Sequence, residues 1–268
     1  MFLILILFAL ISLFAPPGFE RWFKYPKDAP PSFSSLDLLL GTTTTGRSVF
    51  WSATSAVANS LLIGFTTALI AAHIGLLTGI VAGYKGGLIE KLLMTLTDIF
   101  IVTPPLPLQV VLVMLLKNYI NMFLIALILS ISSWPWPARQ VRGIMLSLRE
   151  REFIITASFS GLTEWEIVFR EILPHVLGWH LVNFTNTVLY AIGSEAGLAI
   201  LGLSILHKDT LGTMIYWSVI GYPSLFRGIW WWFLTPVILI ILIMISLYLI
   251  SIGIAEYIEP RKKTKGVA

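Results

Sequence analysis

Cysteine is absent from this 268-residue chain. That excludes disulfide staples and thiolate chemistry, and it leaves the compartment unreadable from redox usage. Charge is scarce too. Only 12% of the residues are Asp, Glu, Lys or Arg, against about 25% in a soluble globular protein. Disorder is excluded as well, because it needs low hydrophobicity and high net charge. The four histidines are scattered and no His-Glu-x-x-His occurs, so no nucleophile, base or metal-ligand set marks an enzyme.

What is present is apolar. Hydrophobic residues make up 57% of the chain, and the mean hydropathy is +0.87. They come in long blocks, the pattern of an all-α integral membrane protein with about six spans of roughly 20 residues each. The blocks are Phe2–Ala15, 55–83, 92–116, 119–137, 176–206 and 230–254. The first is short, but no Lys or Arg precedes Arg21 and Pro16-Pro17 follow it, so an uncleaved span is expected over a signal peptide. Residues 1–15 thus form a first helix, 16–54 an outer loop with a short surface helix, 55–254 a five-helix core, and 255–268 a basic tail. Within the core, 138–175 carry ten charged residues and read as one large inner loop; 207–229 read as an outer loop.

The net charge of +4 and pI near 9.3 call for no nucleic-acid partner in such a chain. Excess Lys and Arg mark cytoplasmic segments. With both termini inside, 11 of the 18 basic residues fall on the inner side. Trp230, Trp231 and Trp232 stand where an interfacial aromatic belt belongs.

Three features inside the spans stand out. Ala71, Gly75, Gly79 and Gly83 recur every four residues, a stripe that lets helix backbones approach closely; simple packing accounts for it. Thr103-Pro104-Pro105-Leu106-Pro107 must break or kink its helix, either as a static bend or beside a watery pathway. Asp98 and Glu195 are acids within spans, with His73 and His180 nearby in the same class. Intramembrane ionisable groups face a bundle interior or cavity. Asp98 and Glu195 are therefore candidates for pathway lining or gating, or are hydrogen-bonded structural acids.

The inner loop carries helix signals. Ser147 and Glu150 have capping-box spacing, which predicts a helix from Leu148 to Gly161. Thr163 and Glu166 repeat that spacing, which predicts a second helix over Glu164–Ile172 ending at Pro174. Glu164, Glu166, Arg170 and Glu171 would be exposed, while Trp165, Ile167, Val168 and Phe169 supply an apolar side. An amphipathic surface helix accounts for this, and so does a knob docking in a partner's groove.

Ile155-Thr156-Ala157, Gly161 and Ile172-Leu173-Pro174 resemble the cytoplasmic coupling loop of ABC-importer permeases, with Ile155 and Thr156 replacing the family's Glu-Ala. Gly41-Thr42, Gly46-Arg47, Gly83-Tyr84-Lys85-Gly86-Gly87, Arg139-x-x-Arg142-Gly143, Leu148 to Phe153, and Glu195-Ala196-Gly197-Leu198 with Leu201-Gly202-Leu203-Ser204 resemble the dipeptide/oligopeptide C-type subfamily. Thr44 and Ser48 depart from it where the family usually has acids, and so does the short N-terminus. The resemblance spans roughly residues 40–260. It implies a type I ABC importer permease fold with a cytoplasmic coupling helix, in the cell membrane. It implies a second homologous permease, two cytoplasmic ATPases that bind ATP and Mg, and an extracytoplasmic solute-binding protein. No cofactor is expected on this chain. Thr156, Ala157, Gly161, Glu164, Trp165, Glu166, Phe169 and Arg170 would couple to an ATPase; Asp98, Pro104, Pro105 and Glu195 would line or gate the path. Peptides, oligosaccharides and nickel chelates are all solutes of that subfamily.

Gly41 to Ser48 nearly fits a phosphate-binding loop, but Arg47 replaces its lysine and no strand precedes it, so nucleotide binding is not expected there. The rival from another class is a proton-coupled transporter or channel using Asp98 and Glu195. Such a protein has no need of the large inner loop.

Overall fold

The computed structural model describes residues 1–258, and the basic tail from Arg261 to Lys265 lies outside them. Each expected apolar block is helical. Among the described residues the only β pairing is an isolated bridge between Thr42 and Ser48.

Helix α1 covers Phe2–Ile11 and packs on α2, Val49–Lys85. Helix α2 begins where the Ser48 hydroxyl caps the Trp51 N–H and stops at Gly86, whose φ is +65°. At about 1.5 Å per residue its 37 residues reach about 55 Å. Helices α3 (Gly87–Val102) and α4 (Pro105–Leu115) follow each other across a bend of 89°. The proline run dictates that bend. The residue before a proline is pushed out of the helical region; Thr103 and Pro104 accordingly hold ψ of 122° and 125°. Pro105 then opens α4, where its missing N–H costs nothing.

Helices α5 (Met122–Ser133) and α6 (Pro135–Arg149) continue each other across Trp134. This corrects the expected loop from residue 138. Ala138, Val141 and Met145 form a buried stripe while Arg139 and Arg142 look outward, so α6 is an amphipathic helix whose charges imitate a loop. The stripe fills the groove of α2: Gly75, Gly79 and Gly83 leave no room for a β-carbon against Pro137, Val141 and Met145. The Ser147 capping box is also overturned. Ser147 Oγ donates to the Ile144 carbonyl inside α6, 2.7 Å away.

Helix α7 spans Glu152–Phe159 and α8 Glu164–Glu166, and α8 widens into a π turn over Ile167–Ile172 before α9, Leu173–Ile200. The expected stop at Pro174 does not occur. Pro174 sits in the first turn of α9, where a proline lacks nothing the helix needs, and the π turn joins the two segments in one rod.

Residues 207–229 are not a plain loop. They hold α10, Leu211–Tyr216, and a second π turn, Trp217–Gly221, packed on α9 and α11. Helix α11, Trp230–Ile258, closes the bundle. Of the tryptophans at its start, Trp232 is buried, Trp231 donates to the Thr42 carbonyl (3.0 Å), and Trp230 is exposed. By length and composition α2, α11 and the bent α3–α4 pair can each cross a membrane. Helix α9 is long enough, but polar side chains dilute its apolar surface.

Candidate functional site

Three places carry polar chemistry: the Lys85 end of α2, the Ser48 end, and the level between them where α3 breaks.

At the Lys85 end the α7–α8 connection stands out from the bundle. Gly161 holds φ of +83°, a conformation that glycine adopts without steric penalty. Thr163 and Glu166 then form a full capping box: the Thr163 N–H and hydroxyl both donate to Glu166 Oε2 at 2.9 Å, and Thr163 Oγ1 accepts from the Glu166 N–H. These donors hold the Glu166 carboxyl below the usual carboxylate range, with Arg170 assisting. Ile167 and Val168 turn inward with Ile172. Trp165 and Phe169 stay outside, 63% and 57% exposed, with their rings stacked 6.1 Å apart. The expected single apolar side is therefore divided between the core and an outward aromatic pair. Glu164 lies 3.7 Å from Lys85, which ties α8 to the end of α2. Thr156 bonds back to the Glu152 carbonyl, Ala157 is buried in the same core, and Ile155 is half exposed.

Where α3 breaks there is a cavity of about 380 Å³. Pro105 borders it from the break, Ser132 and Pro135 from the α5–α6 junction, and Asn183, Asn186 and Tyr190 from α9. Behind it, buried Gln109 of α4 donates to Ser132 Oγ at 2.7 Å and to Tyr190 Oη at 3.2 Å. Asn183 is 3% exposed, and its Nδ2 has no hydrogen-bond partner.

Two acids singled out in the sequence stand elsewhere. Asp98 is half exposed and pairs with Arg139 of α6. About two turns earlier on α3, Glu90 pairs with Arg142, so two ion pairs join α3 to α6. Glu195 is buried at 1% exposure, and its Oε1 accepts from Ser204 (2.6 Å) and Thr210 (2.8 Å). It fastens the segment leading into α10 onto α9. Neither acid lines the cavity, and of the two prolines named for the path, only Pro105 does.

At the Ser48 end the phosphate-loop look-alike has a structural task. A β-carbon at Gly41 would stand 2.6 Å from Trp231 Nε1, and φ there is +75°. The tight turn aims Arg47 at Asp209, to which its Nη1 and Nη2 both donate. Asp37 accepts from Tyr25 Oη and Trp51 Nε1. Burial, with Asp37 beside it, pushes the Tyr25 phenol up to about 12. A cavity of about 450 Å³ lies beside Arg47, Asp209 and Trp217. Arg227 reaches Asp28 at 2.7 Å, so residues 16–48 and 201–229 interlock as one cap. Among the described residues no three His, Asp or Glu side chains gather as a metal site.

The sequence reading searched for charge and so passed over Gln109, Asn183, Asn186 and Tyr190. A signal was available: Asn183, Asn186, Thr187 and Tyr190 recur at helical spacing within an apolar block, the mark of one polar face.

Comparison with known proteins agrees with this arrangement. The family described as binding-protein-dependent transport system inner membrane component matches residues 75–264. The dipeptide transport system permease protein DppC of Bacillus subtilis is 30% identical over 97% of this chain and 80% of its own length. The oligopeptide transport system permease protein OppC of Mycobacterium tuberculosis is 29% identical over 94% of this chain and 80% of its length. A chain of the inward-facing MetNI methionine ABC transporter superposes with a TM-score of 0.63 at 20% identity, covering 78% of this chain and 96% of that one. That last likeness is one of fold.

Proposed function

The chain belongs to the family of binding-protein-dependent transport system inner membrane components and has the fold of a type I ABC importer permease; from that premise we propose that it moves short peptides and is driven through α8 by a cytoplasmic ATPase. A second homologous permease would complete the pathway, and an extracytoplasmic binding protein would deliver the solute. Both termini would face the cytoplasm. ATP and Mg would be bound by the two ATPase subunits, with no cofactor on this chain.

The observation that carries this reading is the Trp165–Phe169 pair. Two stacked aromatic rings in full view, on a short helix capped at Thr163 and anchored by Ile167 and Val168, form a rigid apolar knob. Exposed aromatic anchors beside a polar rim mark protein-binding surfaces. Thr156, Gly161, Glu164, Glu166 and Arg170 surround the knob and would form that rim. Because α8 runs through a π turn into α9, a push on the knob reaches the helix that lines the cavity.

Helix α3 supports the pairing with a second permease. Of its residues only Thr97 is buried, so the faces that it does not turn to α2 and α6 are left for lipid and for another subunit. Peptides are favoured over oligosaccharides because the relatives above are peptide permeases by name.

Reconstitution tests the reading. The complex with its second permease, ATPases and binding protein should hydrolyse ATP faster when loaded binding protein is added. Trp165→Ala with Phe169→Ala should leave the chain folded and cut that stimulation at least about tenfold, the scale of a lost hot-spot pair. Gly161→Pro should act likewise, since proline cannot reach φ of +83°. Full stimulation in both variants would refute the coupling role.

A further inference from the structure

The cavity beside the α3–α4 break has a chemical character that points to its occupant. Among the described residues that line it, none is Asp, Glu, Lys, Arg or His. Its polar groups are carboxamides and hydroxyls: Asn183, Asn186, Thr187 and Tyr190 on α9, Ser132 and Ser133 opposite. Phe100 and Trp136 supply flat apolar walls. Such a lining cannot select a solute by charge. It can hold groups that both donate and accept hydrogen bonds without being ionised.

The second observation is Asn183. Its Nδ2 has no partner, while the neighbouring Gln109, Ser132 and Tyr190 satisfy one another. A buried polar group left unpaired is costly and calls for an explanation. Here the unpaired donor belongs to a residue of the cavity wall. The size, about 380 Å³, falls in the range of small-molecule sites.

We propose that this cavity is a transient solute subsite on this subunit, in which Asn183 Nδ2 donates to a main-chain carbonyl of a passing peptide and Asn186 and Tyr190 face its neighbouring amides. The proposal rests on the permease reading above and adds to it which atoms the solute meets. A neutral subsite treats acidic, basic and apolar peptides alike, because all share the same backbone. It holds the peptide weakly, as a pathway requires.

The natural lack of cysteine makes the test direct. In the reconstituted complex, Asn186→Cys puts a thiol in the cavity on a subunit that has no other, so maleimide on this band reports that position alone. During turnover with binding protein and ATP, tri-L-alanine should slow the labelling several-fold. Asn183→Leu should raise the half-saturating concentration for radiolabelled tri-L-alanine uptake about five- to tenfold, the scale of one buried hydrogen bond, and Asn183→Gln should recover part of it. Co-elution of all subunits checks that each variant assembles. Labelling indifferent to tri-L-alanine, together with unaltered uptake by Asn183→Leu, would overturn the proposal and leave the cavity to lipid or to the second permease. Uptake of cellotriose in place of tri-L-alanine would also overturn it, yet leave the permease reading standing. A complex that shows neither uptake nor stimulated ATP hydrolysis would remove the permease reading itself.

Discussion

Gly79 of α2 lies so close to Val141 of α6 that a β-carbon on the glycine would stand 2.6 Å from the valine Cβ. Helix α6 therefore rides in a trough of small residues, and the trough sets the spacing of the two helices. Gly79→Ala should destabilise the purified protein by about 1–3 kcal/mol, the cost of overpacking a close contact. Gly143→Ala, on the opposite face of α6 where nothing stands within 4 Å, should instead be neutral or stabilising by up to about 1 kcal/mol from helix propensity. Thermal unfolding of the two variants in detergent compares them directly.

Arg47 and Asp209 are 162 residues apart in sequence and largely buried together. Removing one partner strands the other charge, so Arg47→Met should cost about 3–5 kcal/mol. The double replacement Arg47→Met with Asp209→Leu should recover much of that loss. Limited proteolysis within residues 16–48 is the readout, because the pair joins that segment to 201–229. Equal protection of the single variant and the unaltered chain would show that the cap is held by other contacts.

Asp98 and Glu195 answer differently to the loss of charge. Asp98 pairs with Arg139, and Asp98→Asn keeps a carbonyl oxygen to accept from that guanidinium, so Asp98→Asn should keep most uptake. Glu195→Gln keeps the acceptor for Ser204 and Thr210 and should be tolerated, whereas Glu195→Leu abandons two buried hydroxyls and should cost about 2–4 kcal/mol. Uptake and unfolding are measured on all three. If Asp98→Asn and Glu195→Gln both abolished uptake in assembled complexes, a proton relay through these acids would return as the explanation.

Much of this architecture can be read from residues alone. The apolar blocks mark the long helices α2, α9 and α11, the proline run marks the 89° bend, and Thr163 with Glu166 marks the cap of α8. Where the reading fails, one physical reason recurs. Helix α6 carries Arg139, Arg142 and Arg149, and counting charge makes it a loop; what holds it is a partner helix whose glycines lie some sixty residues upstream. Helix α10 is short, and it is fixed by Ser60 Oγ accepting from the Leu211 N–H and by Glu195 accepting from Thr210. Ser147 has the right spacing for a cap, yet its hydroxyl turns back to Ile144 because the helix has already begun. The cavity escaped for a different reason. Its residues are neutral, and it exists only where three separate segments meet.

Helix α2 has one more consequence. Its backbone ladder runs unbroken from beside Arg47 at one mouth to Lys85, next to Glu164, at the other, while its neighbour across the bundle is jointed at Thr103 and Pro104. A helix held by a continuous ladder resists bending along its length, whereas the proline break interrupts that ladder, so of the two members the broken one is the softer.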